Sequence, residues 1–367
     1  MKNKINYIKQ QIVFLVCCFS FMLTQAQPET ISNKSKISVL TCGIGQEMYT
    51  LFGHTALRVQ DPEQNLDVVY NWGTFDFNTP NFYSKFVQGS LLYKLDVGSF
   101  DAFMYGYSVE DRSVIEQELN LDDTQKSVIW KEINRQLTSE ERFYTYGFIR
   151  NNCTTKVVDV LNKAYKDGIN TNFKANNHSY RYILNEGLSN NYFEKLGINL
   201  LFGKPTDKDN NLIFLPIKLQ QALEHDTLKV LNKSQLNYVS QHKPNSINSI
   251  YTLWAIVIVI ALFAKFKFAR ILYFTITSIF SIALLLVSIY TYHSELHFNI
   301  LIVFFNPLVL LGLILKNKKI VAVSFFISLL SVFISGLELL KIISPLIFLH
   351  LIYYLVLFLY LKKKMID

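Results

Sequence analysis

Apolar positions follow two regimes along this chain. From about residue 246 onward they run together. Ile250 to Ala264, Ile271 to Tyr292, Ile300 to Leu315, Ile320 to Leu337 and Ile343 to Leu361 are five segments dominated by Leu, Ile, Val and Phe. Apolar runs of about 20 residues predict membrane-spanning helices, and the first and third segments are short for that length. Before residue 246 apolar and polar positions alternate. Ile37 to Thr41 predicts a strand. His54 to Val59 and Asp67 to Trp72 predict two more, joined by the turn Asp61-Pro62-Glu63-Gln64-Asn65. A hairpin centred near residue 63 puts His54 across from Asn71 or Trp72, where facing side chains lie about 5 Å apart.

Glu47 to Phe52 reads as a helical turn, Asn81 to Gly89 as a short amphipathic helix and Leu91 to Asp96 as a strand. Ser99 to Tyr107 gives no clear signal. Val109 to Leu119 and Asp122 to Leu137 have helical spacing, the latter with an acidic first turn. Phe143 to Phe148 is aromatic-rich and strand-like. Thr154 to Ala164 has helical periodicity, with Val157, Val158, Val160 and Leu161 on its apolar side, and Asn151 or Asn152 is a natural N-cap. Cys153 then falls in the first turn, where unpaired N–H groups and the helix dipole favour a thiolate. The polar stretch 207–248 reads as a connection to the membrane, with a surface turn at Asp207-Lys208-Asp209-Asn210.

The ends of the chain and its charges give the topology. Lys2, Lys4 and Lys9 precede a short apolar core, Ile12 to Leu23, and Thr24-Gln25-Ala26 offers a small-residue cleavage site. This predicts a signal peptide, residues 1–26, either cut after Ala26 or retained as a membrane anchor. Cys17 and Cys18 lie inside its apolar core, and Val16 before Cys17 speaks against a lipobox. Between the apolar segments, Lys265, Lys267 and Arg270, then Lys316, Lys318 and Lys319, and finally Lys362 to Lys364 all fall on one side. The positive-inside rule makes that side cytoplasmic. The predicted division is an extracytoplasmic domain at 27–246 and a transmembrane part at 247–367 with a cytoplasmic C-terminus, in a bacterial inner membrane. The formal net charge is +8, yet residues 27–248 carry 23 basic and 25 acidic side chains. The basic excess is thus a topology signal, not a nucleic-acid footprint.

The extracytoplasmic part holds two cysteines, Cys42 and Cys153, and four histidines, His54, His178, His225 and His242. A cysteine that opens a helix and a histidine on a facing strand are the pair that thiol acyl enzymes use. Cys153 is the candidate nucleophile and His54 the candidate base. Asn71 is the first candidate to orient the imidazole, with Asp76 behind it, and Asn152 supports the nucleophile's turn. Two cysteines in an oxidising compartment also suit a disulfide, and a single strand histidine also suits a core or surface position. Cys42-Gly43-Ile44-Gly45-Gln46 lacks the βαβ context of a phosphate loop. No HExxH occurs and the possible ligands are dispersed, so no metal or organic cofactor is expected. His293, His297, Asn299 and Asn306-Pro307 are polar groups at the membrane face. They suit supporting roles, His297 and Asn306 above all, or ordinary interface positions.

The strings TCGIGQEMYTLFGHTALRVQDP, DVVYNWGTFDFNTPNFYSKFVQGSLLYKL and FYTYGFIRNNCTT together resemble the Lnb family, first catalogued as DUF4105 and found in Bacteroidota and some other Gram-negative bacteria. The resemblance runs over roughly residues 35–360. Family members are lipoprotein N-acyltransferases that resemble permuted papain-like (NlpC/P60-like) enzymes. The resemblance implies an α+β permuted papain-like domain before an all-α bundle of five helices. It puts the catalytic histidine on His54, in FGHT, and the catalytic cysteine on Cys153, in NNCT, and so implies a free thiol rather than a disulfide. The implied reaction moves a fatty acyl chain from a phospholipid donor to the α-amine of a diacylglyceryl-cysteine lipoprotein, through a thioester on Cys153. The alternatives are a membrane-tethered cysteine peptidase or amidase acting on cell-wall peptides, and a non-enzymatic membrane scaffold with Cys42 and Cys153 oxidised together.

Overall fold

A computed structural model describes residues 28–169, 178–208, 212–225, 229–237 and 246–363. The signal peptide, Cys17, Cys18, His242 and the Asp209–Asn210 half of the predicted turn lie outside the described residues. The first strand, β1 (Lys36–Cys42), is buried at every position but its first. A strand covered on both faces loses the alternation of a half-exposed one, and its apolar run reflects that. It pairs antiparallel with β2 (His54–Asp61), which turns through Pro62–Gln64 into β3 (Leu66–Thr74). Asn65 closes that turn in the left-handed region at φ 51, which Asn tolerates better than most residues.

Next come helix α1 (Phe82–Gln88), strand β4 (Leu92–Ser99), helix α2 (Phe100–Val109), strand β5 (Val114–Leu119), helix α3 (Asp123–Leu137) and strand β6 (Phe143–Thr145). Helix α4 (Cys153–Ala164) follows, then α5 (Tyr180–Gly187), α6 (Tyr192–Leu201), α7 (Pro216–His225) and strand β7 (Val230–Gln235). The seven strands form one antiparallel sheet in the order β6-β4-β3-β2-β1-β5-β7. On one face α3, α4 and α7 bury Ile129, Trp130, Ile133, Val157, Val160, Leu161, Leu219 and Leu223 against Val39, Leu57, Val59 and Tyr70. On the other, α2 lays Phe100, Phe103 and Met104 over Leu40, Ala56 and Val69. The N-terminal region is therefore an α+β sheet domain.

Several elements differ from their sequence signals. Val109 to Leu119 has helical spacing, but Val114–Leu119 is a strand between β1 and β7. Its two flanking partners override a weak local preference. Ser99–Tyr107, without a clear signal, is helical because Ser99 caps it by accepting from the Ala102 N–H. The stretch expected to be a plain connection returns to the domain: α7 covers one face and β7 extends the sheet at β5. Asp207, expected at an open surface turn, is ion-paired with the buried Arg181. Helix α1 keeps the expected two-sided pattern, with Phe82, Lys85 and Gln88 half-buried and Phe82 packed on the core, but its exposed side carries Tyr83, Phe86 and Val87.

The C-terminal region is helical. Helices α8 (Ile250–Leu262), α9 (Lys267–Tyr290), α10 (Leu301–Phe304), α11 (Leu308–Ile314), α12 (Lys318–Ile334) and α13 (Leu337–Lys363) occupy all five predicted apolar segments. Among the described residues only three stretches are long and apolar enough to cross a membrane: Lys267–Tyr290, Ser294–Ile314 and Leu337–Lys362. The five-span expectation is corrected to that extent. Ile250–Lys265 is a shorter apolar helix of about 24 Å, and α12 reaches about 26 Å, both under a hydrocarbon core of about 30 Å.

The sheet domain is joined to these helices by polar contacts as well as by the chain. Tyr192 Oη donates to the Ile342 carbonyl at 2.7 Å, and Asn299 Nδ2 donates to the carbonyls of Leu200 and Leu201 at 2.8 and 3.0 Å. The Gly203 N–H donates to the Glu295 carbonyl at 2.7 Å.

Candidate active site

The chain turns sharply into β2 at Gly53, whose φ is +78 and whose missing Cβ would lie 2.3 Å from the Cys42 carbonyl oxygen. Only glycine fits there. The turn sets His54 opposite Cys42 in the β1–β2 ladder. In the β2–β3 ladder Leu57 pairs with Tyr70, so the same count carries His54 to Gly73 rather than to Asn71 or Trp72. Asn71 is the diagonal neighbour on the same face, a position from which a side chain still reaches across. Its Oδ1 accepts from His54 Nε2–H at 3.1 Å. An amide oxygen can only accept, so Nε2 carries the proton and Nδ1 is left for the other partner.

That partner is Cys153, the first residue of α4. Asn152 caps the helix: its side chain accepts from the Thr155 N–H at 3.0 Å, and Thr155 Oγ1 accepts in return from the Asn152 N–H at 2.9 Å. Asn152 Nδ2 donates to the carbonyls of Phe148 and Phe214, both at 3.0 Å. The neighbouring Thr154 hydroxyl bonds Thr55 on β2 at 3.0 Å, which ties the helix start to the histidine strand. On the far side of the turn the Ile149 N–H donates to Glu295 Oε1 at 3.0 Å, so the loop before the cysteine also rests on the helical region.

Burial alone pushes the Cys153 thiol up. The charge and hydrogen bond of His54, with the Thr55 backbone and the Thr154 side chain, more than reverse this, and the thiol lies below its ordinary value. His54 mirrors it: burial lowers the imidazole, the Cys153 charge and hydrogen bonds to Cys153 and Asn71 raise it, and the net shift is upward. The two directions together favour charge separation within the pair. Both Cys42 and Cys153 are free thiols.

A third polar group stands beside the pair. Gly73 has φ +107 at an irregularity in the β3–β4 register, and the position its Cβ would take is 4.0 Å from Cys153 Cβ and 3.8 Å from Tyr144 Oη. Tyr144 is buried and its hydroxyl has no partner. Burial raises its phenol well above the ordinary value, with the Cys153 charge as the next cause.

The other predicted residues lie apart from this group. Asp76 Oδ1 accepts from the Asn78 N–H at 2.8 Å, within the turn after β3. His297 Nε2 donates to the Thr291 carbonyl at 3.0 Å. Asn306 stands among the apolar helices, where Nδ2 donates to the Val303 and Ser324 carbonyls and to Ser328 Oγ. Of these, the Val303 carbonyl is the group that Pro307, which has no N–H, leaves open. His178 stacks on Tyr182 at 3.8 Å, and His225 ends α7. Among the described residues, no three His, Cys, Asp or Glu side chains gather as metal ligands. A cavity of about 440 Å³ lined by Cys42, Phe52, Glu186 and Gln220, among others, touches neither His54 nor Cys153. Sequence reasoning missed Tyr144, Thr154 and Glu295. The last carried a readable signal, a carboxylate in a short loop between apolar segments.

Residues 24–186 match the family described as the Lnb N-terminal periplasmic domain. The match includes His54, Asn71, Tyr144 and Cys153 and stops before the apolar helices, whereas the resemblance read from the sequence extends to about residue 360. No curated protein and no solved structure matches the chain.

Proposed function

We propose that this protein is a lipoprotein N-acyltransferase with Cys153 as nucleophile and His54 as its acid–base partner. The observation that carries the reading is the buried cysteine at a capped helix N-terminus, its thiol lowered by a histidine that Asn71 orients. The Lnb N-terminal periplasmic domain at 24–186 and the long apolar helices that follow it support the choice of lipid-anchored substrates. The domain is read as permuted papain-like, with the histidine strand before the cysteine helix.

In the first half-reaction the Cys153 thiolate attacks the carbonyl carbon of a phospholipid ester. The electron pair moves to the carbonyl oxygen, which takes its hydrogen bonds from the Cys153 N–H and from Tyr144 Oη. The tetrahedral intermediate collapses, the C–O ester bond breaks, and the imidazolium of His54 gives its proton to the leaving lysophospholipid. A thioester remains on Cys153. In the second half-reaction the α-amine of a diacylglyceryl-cysteine attacks that thioester, neutral His54 takes the amine proton, and the C–S bond breaks. The amide product leaves, and the thiolate–imidazolium pair is restored. Ester, thioester and amide exchange one acyl group, so the sequence balances without an external energy source.

The protein in phospholipid nanodiscs, given a diacylated lipopeptide with a free N-terminal amine, is expected to yield the N-acyl lipopeptide. The same lipopeptide with a blocked amine is expected to yield none. A cleaved cell-wall peptide in place of the N-acyl product would overturn the reading in favour of a peptidase.

A further inference from the structure

Helix α1 lies on the surface of the sheet domain with an apolar sequence, FYSKFVQ, and no buried residue. Tyr83 is 79% exposed, Phe86 and Val87 are exposed, and Phe77 beside them is 62% exposed. Contiguous exposed apolar residues of this size mark a contact surface rather than a solvated face.

Three observations say what covers it. First, α1 is seated on the end of a membrane-length helix. The Tyr292 N–H donates to the Gln88 carbonyl at 2.7 Å, Thr291 Oγ1 to the Val87 carbonyl at 2.8 Å, and His293 Nε2 to the Phe86 carbonyl at 3.0 Å. Ser84 Oγ lies 3.3 Å from Tyr290 Oη, at the last residue of α9. Second, Tyr290, Tyr292 and Phe298 are exposed at that same end. Aromatic side chains collect at the level of the lipid headgroups. Third, the patch is continuous with the site. Phe77 packs on Phe75 at 4.9 Å, Phe75 on Tyr93 at 5.1 Å, and Tyr93 on Tyr146 at 4.8 Å between ring centres. Tyr93 and Cys153 belong to one buried cluster, and Phe75 and the half-buried Tyr146 pack against it.

We propose that the Phe77–Tyr83–Phe86–Val87 surface rests in the outer headgroup–acyl boundary of the membrane that the long helices cross, and that a lipid acyl chain reaches Cys153 along Phe75, Tyr93 and Tyr146. The lipid contact stands by itself; the delivery of a chain rests on the acyl transfer proposed above. A domain held this way keeps the chain in apolar surroundings on its way to the thiol, where each CH₂ exposed to water would cost about 0.8 kcal/mol.

The test uses the full chain in vesicles of phosphatidylethanolamine and phosphatidylglycerol, part of the lipid carrying mid-chain bromines. Tyr83→Trp adds a reporter to the three native tryptophans. Glu63→Trp, in the turn at the far end of the β2–β3 hairpin, is the control. The added emission of Tyr83→Trp is expected to lose about half its intensity to bromolipid and that of Glu63→Trp almost none. Equal quenching of the two would overturn the lipid contact. So would a Tyr83→Trp reporter shielded from both bromolipid and aqueous iodide, which would put a second copy or another protein on the patch. For delivery, the double variant Tyr83→Asp/Phe86→Asp is expected to slow transfer of a phospholipid acyl group to Cys153 about tenfold. Its rate of alkylation by iodoacetamide is expected to stay unchanged. Undiminished transfer in that variant would overturn the delivery route. Transfer absent from the wild type, with the Tyr83→Trp emission quenched by bromolipid, would sink the acyltransferase reading while leaving the lipid contact in place.

Discussion

Cys42 and Cys153 are two buried thiols in one domain, shifted in opposite directions by their surroundings. Cys42 ends β1, opposite His54 in the ladder, and burial pushes its thiol up to about 12 against a weaker pull from Tyr107 and Arg112. Cys153 bears the same kind of burial penalty, yet its thiol lies below the ordinary value. Depth does not separate them. The difference is what each sulfur faces: Cys153 meets an imidazole and the free N–H groups of a helix start, while Cys42 meets a phenol and the packed side chains under α2. A residue count sees two equivalent cysteines with the makings of a disulfide. The fold lowers one thiol and raises the other.

That contrast breaks most sharply by removing each sulfur in turn. Cys153→Ser is expected to lower acyl transfer by about 10³-fold or more, since the covalent route itself is lost, while Cys42→Ala leaves it within a few-fold. Lipopeptide acylation assays read both. Equal losses would show that the two thiols are not functionally distinct. His54→Ala removes the partner that keeps the Cys153 thiol low. Burial then dominates and the thiol rises, so iodoacetamide labelling at neutral pH is expected to fall roughly tenfold or more and to recover at high pH. In the wild type the same labelling persists below the ordinary thiol range. Its enhancement by the imidazolium is lost as pH rises through the raised His54 value. An unshifted labelling profile in His54→Ala would break the pairing.

Smaller effects sharpen the picture. Tyr144→Phe removes one hydroxyl beside Cys153 and is expected to cut acyl transfer by about 10²-fold without changing iodoacetamide labelling, because alkylation forms no oxyanion. Asn71→Ala frees the imidazole to rotate and is expected to cost roughly 10–100-fold. Asp76→Ala, whose carboxylate serves its own turn, is expected to stay within about twofold. A larger loss there than in Asn71→Ala would reverse the assignment of the orienting group.

Much of this is legible in the chain itself. The Pro62 turn sets the hairpin and hence the neighbourhood of His54 and Asn71, off by one or two places in register. Asn152 before an apolar periodicity marks the helix that begins at Cys153. What is not legible depends on partners distant in sequence. Val114–Leu119 is a strand because β1 and β7 flank it, and Val230–Gln235 is one because β5 is there to receive it. Tyr144 reads as one aromatic among many until Gly73, in a distant strand, opens space between its hydroxyl and Cys153. Five apolar segments are countable, but only the observed helix lengths, short at Ile250–Lys265 and Lys318–Ile334, reduce the membrane-length stretches to three.

In the proposed reaction Cys153 carries the acyl group between donor and acceptor. The most direct measurement is the intact mass of the protein after incubation with phospholipid and no acceptor. A gain of one fatty acyl chain is expected, mapped to the Cys153 peptide, removed by neutral hydroxylamine and discharged by a diacylated lipopeptide with a free amine. An unmodified Cys153 in a protein that still forms N-acyl lipopeptide, or an acyl group on another residue that discharges in its place, would contradict it.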